Sequence, residues 1–136
     1  IYKSTCPGQV EQTEAGKLAE SETRTILVEA LVPMLAAGID TIVMGCTHYP
    51  FVIPLIESIT GPEVRVIDPA PAIARQTQRL LAQSELLNLQ DRDGKMTFYT
   101  SGNPAALAKL LPKLLGETGP VHPARWTDGP DLRLEA

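Results

Sequence analysis

Two residue types able to move a proton near neutral pH stand two positions apart in the run Gly45-Cys46-Thr47-His48-Tyr49-Pro50. A thiolate is both base and nucleophile, and the amides at a helix N-terminus or an adjacent proton acceptor favour it over the thiol. His48 is the natural proton partner for such a sulfur. Thr47 offers a hydroxyl that can cap a helix start, and the free amides there would receive a substrate carboxylate. The competing reading is plain packing, since free cysteine is among the most buried residue types. Cys46 and His48 supply only two potential metal ligands. Cys6 and His122 are too scattered in the sequence to complete a tetrahedral set, so no metal is expected.

A strand followed by a helix must hold that loop. Ile39 to Gly45 (IDTIVMG) is a short β-branched run bounded by glycines, which predicts a buried strand. Phe51 to Thr60 predicts the helix after it, with Pro50 near its first position and Gly61-Pro62 as its stop. Upstream, Thr23, Ile26, Leu27, Ala30, Leu31, Met34 and Leu35 repeat at helical spacing, with Pro33 expected to kink the last turn and Ala37-Gly38 to end it. Downstream, Val64 to Ile67 reads as strand and Pro71 to Ala82 as helix, with Ile73, Ala74, Thr77, Leu80 and Leu81 on one face. Lys95 to Thr100 reads as strand, Pro104 to Leu115 as a leucine-striped helix, and Val121 to Trp126 as a last edge strand. Every apolar stripe reads as ordinary core. Strands alternating with helices predict an α/β fold, a parallel sheet flanked by helices in three layers. In such sheets the chemistry lies in loops at the carboxyl ends of strands, which is where Cys46 falls.

The composition suits a packed domain: 136 residues, 43% hydrophobic and 21% charged, with a formal net charge of -4. The acidic balance argues against nucleic acid as a partner, which needs a basic footprint. No apolar run reaches membrane-span length, so no membrane partner is expected. Two cysteines without an export signal point to a reducing, cytoplasmic setting. The polar stretch 83–95 (QSELLNLQDRDGK) reads as a connector between two blocks.

The string GCTHYP after a hydrophobic strand resembles the second catalytic-cysteine motif of bacterial glutamate racemases, members of the aspartate/glutamate racemase family. The run Cys6 to Gly16 (CPGQVEQTEAG) resembles the family's segment ahead of that motif, and Ile39-Asp40-Thr41 its lead-in. Gly61-Pro62 with Val66-Ile67-Asp68 resembles the family's stretch downstream of the motif. Phe98 to Gly102, with the leucine-rich helix to Gly116, resembles its carboxyl-terminal end. The resemblance runs from about residue 4 to about residue 127 in order.

The resemblance implies racemisation between L- and D-glutamate by two cysteines and no cofactor, supplying D-glutamate for peptidoglycan. A planar carbanion-like centre needs a base on one face and an acid on the other, with roles exchanged in the reverse reaction. It makes Cys46 the catalytic thiol of this lobe, His48 its proton-tuning neighbour, Thr47 a substrate-carboxylate contact, and Glu14 an acidic catalytic-site residue that binds the ammonium or assists His48. Cys6 is left as packing.

Racemases of this kind are about twice as long, a two-lobe size. The asparagine-threonine motif that carries their first cysteine has no match here, nor do the opening segments of the second lobe. The expectation is therefore the carboxyl-terminal part of a two-lobe enzyme, inactive alone, its start at Ile1 without methionine being what such a part would show. Residues 1–82 would belong to the carboxyl-terminal lobe and 83–95 to a connector. Residues 96–127 would pack on the absent amino-terminal lobe, and 128–136 would form a tail. That lobe and glutamate are the expected partners, with a homodimer possible. The alternatives are an aspartate or related amino-acid racemase, against which His48 speaks, and a non-catalytic ligand-binding module of the same fold.

Overall fold

A computed structural model describes residues 1–90, 94–127, 129 and 131–134. The chain divides into two compact units, Ile1–Gln90 and Asp91–Ala136.

In the first unit, helix α1 (Gln9–Glu14) and helix α2 (Ser21–Ala36) precede strand β1 (Thr41–Val43). A 3₁₀ turn (Tyr49–Val52) runs directly into helix α3 (Ile53–Thr60), and strand β2 (Arg65–Ile67) and helix α4 (Ala70–Gln83) complete the unit. β1 and β2 pair in parallel, with Ile42 opposite Val66, and the Met44 N–H donates to the Ile67 carbonyl at 3.0 Å to extend the ladder. The connection through α3 makes this a βαβ unit. Leu27, Leu31, Met44, Val52 and Ile56 form the buried core between helices and strands. α2 buries Thr23, Leu27 and Leu31, every fourth residue of the predicted stripe, and continues through Pro33 to Ala36. Gly38 then takes φ 77, a left-handed backbone that ends the helix cheaply only for glycine.

Three expectations need correction in this unit. The strand before the motif is three residues long and not buried: Ile42 on one face packs against the core, whereas Thr41 and Val43 on the other face are exposed, Val43 at 63%. The helix after the motif opens as a 3₁₀ turn: the Ile53 N–H donates to the Pro50 carbonyl, and Pro54, next in the chain, has no N–H to make the α-helical bond to that carbonyl. α4 forms as predicted but buries no residue, so its apolar stripe is not core here.

In the second unit, strand β3 (Phe98–Thr100), strand β4 (Val121–Trp126) and strand β5 (Leu132–Leu134) form a three-stranded sheet in the order β3-β4-β5, with helix α5 (Pro104–Leu114) connecting β3 to β4. β3 and β4 are parallel, β4 and β5 antiparallel. β4 is thus the central strand rather than a last edge strand. The hairpin is closed by the Thr127 N–H donating to the Asp131 carbonyl at 2.9 Å. Strand β5 lies inside the stretch read as tail. Its Leu-Arg-Leu sequence is too short to register as strand without its partner. Asn103 caps α5, its Oδ1 accepting from the N–H groups of Ala105 at 2.9 Å and Ala106 at 3.2 Å. Among the described residues no helix is long and apolar enough to cross a membrane.

Candidate active site

The loop after β1 carries Cys46, Thr47 and His48, and α1 brings Glu14 to it from 34 residues upstream. His48 is the centre of the group. Its backbone N–H donates to Cys46 Sγ at 3.5 Å. Its ring Nε2 lies 3.3 Å from Glu14 Oε1, and its Nδ1 lies 3.5 Å from Thr47 Oγ1. A carboxylate only accepts, so the neutral ring that fits this network carries its proton on Nε2 and leaves Nδ1 to accept from the threonine hydroxyl. One imidazole is thereby oriented at both nitrogens, on the residue whose backbone N–H reaches the partly buried Cys46 thiol. The pair is open to solvent, with the His48 and Glu14 side chains 33% and 66% exposed.

Thr47 does not cap the helix as its sequence position suggests. His48 occupies the cap position of the 3₁₀ turn with a right-handed helical backbone, no side chain closes that end, and the Thr47 hydroxyl faces the imidazole instead. Tyr49 is the residue that sequence reasoning passed over. Its hydroxyl accepts the Cys6 N–H at 3.2 Å, joining the chain ahead of α1 to the motif loop. Nothing in periodicity signals this, because an aromatic after a histidine reads equally well as core.

Cys6 packs against the hydrophobic core. Burial pushes its thiol above the ordinary cysteine range, and the hydrogen bond from Tyr49 partly offsets that. A cleft of about 900 Å³ beside β1 is lined by both cysteines together with core side chains such as Leu27, Leu31 and Met44. Thr47, His48 and Glu14 are not on its wall. It follows the open edge of β1, whereas the polar group built on His48 lies outside it. Among the described residues no cluster of three or more histidine, cysteine or acidic side chains could hold a metal ion.

Residues 2–77 match the family described as Asp/Glu/Hydantoin racemase. A glutamate racemase from Herpetosiphon aurantiacus is 49% identical over 110 residues, which is 81% of this chain and 43% of that protein. One from Stutzerimonas stutzeri is 44% identical over 122 residues, 90% of this chain and 46% of that protein. The crystal structure of a glutamate racemase isoform from Bacillus anthracis superposes with a TM-score of 0.76 at 25% identity, covering 89% of this chain and 45% of that one. The chain thus spans about half the length of the curated relatives it matches.

Proposed function

The chain belongs to the Asp/Glu/hydantoin racemase family, and from that premise we propose that it is the carboxyl-terminal part of a glutamate racemase, carrying one face of a two-faced site. In this reading the Cys46 thiolate takes the Cα proton of glutamate from one side, leaving the electron pair on Cα. A thiol on the opposite side gives its proton to Cα and becomes the thiolate, and the roles exchange in the reverse direction. No cofactor takes part. Thr47 contacts the substrate carboxylate, while His48, steadied by Glu14, tunes the proton on Cys46. The opposite thiol and the walls that exclude water come from an amino-terminal lobe of the same enzyme.

The observation that supports the reading is a strand-end loop in which the His48 backbone N–H reaches the Cys46 sulfur while the His48 ring reaches the Glu14 carboxylate. The identity to glutamate racemases supports glutamate over aspartate as substrate. The same reading makes residues 83–95 a connector and has 96–127 pack on the amino-terminal lobe. It also makes the enzyme a cytoplasmic source of D-glutamate for peptidoglycan.

The test is exchange of the glutamate α-proton in heavy water. This chain alone should catalyse none. Joined to the part of the Herpetosiphon aurantiacus relative that has no counterpart here, it should racemise glutamate, and Cys46→Ser should abolish that activity. Racemisation by this chain alone, lost in Cys46→Ser, would overturn the one-face argument.

A further inference from the structure

The contact between Glu14 and His48 is too exposed to hold itself in place. Solvent-open ion pairs contribute little, because water competes and both side chains lose freedom. α1, which carries Glu14, is only six residues long, starts at Gly8 with φ 87 and has no side-chain cap. A helix that short is unstable by itself. Something else must fix its register, since a slip of one residue turns Glu14 about 100° away from the loop.

Two features supply that register. Gln9 and Thr13 are fully buried where α1 packs on α2 and the 3₁₀ turn, and Gln9 Nε2 donates to Thr13 Oγ1 at 2.8 Å. The second is Tyr49. Its hydroxyl accepts the Cys6 N–H at 3.2 Å, and the Cys6 carbonyl in turn accepts the Gln9 N–H at 3.1 Å, at the first turn of α1. The opposite end of α1 meets His48 through Glu14. Consecutive residues of the motif loop, His48 and Tyr49, therefore hold the two ends of the same short helix.

We propose that Tyr49 is a positioning residue: by anchoring the start of α1 through Cys6, it keeps Glu14 on the His48 imidazole, and through it sets the reactivity of Cys46. The inference rests on reading Glu14 and His48 as site residues. It adds a residue whose hydroxyl acts through the Cys6 backbone and the start of α1.

The test uses the whole chain with Cys6→Ser, which removes the second thiol and keeps the backbone N–H that Tyr49 accepts. Alkylation of Cys46 by iodoacetamide is followed across the range in which thiols ionise. Glu14→Gln removes the carboxylate charge that faces His48 Nε2 and should slow alkylation near neutrality by about two- to fivefold. Tyr49→Phe should slow it by a similar factor and reshape the pH profile in the same way, and the double variant should be no slower than Glu14→Gln. In a separate chain, Cys6→Pro removes the donor instead of the acceptor and should reproduce the effect. A Tyr49 with a merely structural role would lower the melting temperature and leave the alkylation profile of the folded protein unchanged. An unchanged profile in Tyr49→Phe, or effects that add in the double variant, overturns the proposal while the site reading stands. An unchanged profile in Glu14→Gln overturns both.

Discussion

Helices α2 and α4 both carry apolar residues at helical spacing in the sequence and have opposite fates in the fold. α2 buries Thr23, Leu27 and Leu31 against the strands and α3, whereas α4 leaves its whole stripe open, with Ile73 at 62% exposure. An apolar stripe states that a face needs cover. It does not state that the cover lies in the same chain. The motif loop belongs to the covered side of this contrast: its strand, its 3₁₀ turn and α1 all rest on the core that α2 completes.

The sharpest way to break the contrast is to shorten one leucine on each helix and follow urea unfolding. Leu27→Ala should cost about 2–5 kcal/mol, the range for deleting a buried side chain and leaving a cavity. Leu80→Ala, on the open face of α4, belongs at the other end of the scale.

Between those extremes lies α5, which has a side-chain cap where α4 has none. Asn103→Ala should cost the second unit about 1 kcal/mol, read from its own unfolding transition. A smaller effect is expected from Cys6, on the covered side. Burial raises its ionisation above that of the unfolded chain. The folded state thus keeps its thiol proton where the unfolded state loses it, and stability falls as pH rises from the ordinary cysteine range through the raised value. Unfolding midpoints measured at rising alkaline pH should show that decline, and Cys6→Ala should flatten it. Leu80→Ala should change stability by less than about 0.5 kcal/mol. A large loss there would mean that α4 is already covered within this chain.

Much of the site could be read before the fold. GCTHYP after a β-branched run located Cys46, Thr47 and His48 on a strand-end loop, and the CP segment singled out Glu14. The two stretches meet at 3.3 Å. The α/β alternation and the helices at Ser21–Ala36, Ala70–Gln83 and Pro104–Leu114 came from periodicity. What could not be read depends on pairing and packing that no local pattern marks. α1 buries Gln9 and Thr13, polar residues that no hydrophobic pattern marks. β5 is visible only through its pairing with β4, and Tyr49 matters through a hydrogen bond to Cys6, 43 positions away. The Thr47 cap failed for a local reason, because the chain enters the turn one residue later, at His48.

The central claim is that this chain holds one of two proton-transfer faces. The most direct measurement is single-direction isotope exchange in the joined protein, with Cys46→Ser compared against the parent. The account predicts that Cys46→Ser loses racemisation and loses α-proton exchange from only one enantiomer of glutamate, the one whose Cα proton faces Cys46. Exchange from both enantiomers retained in Cys46→Ser, or racemisation intact, would contradict it.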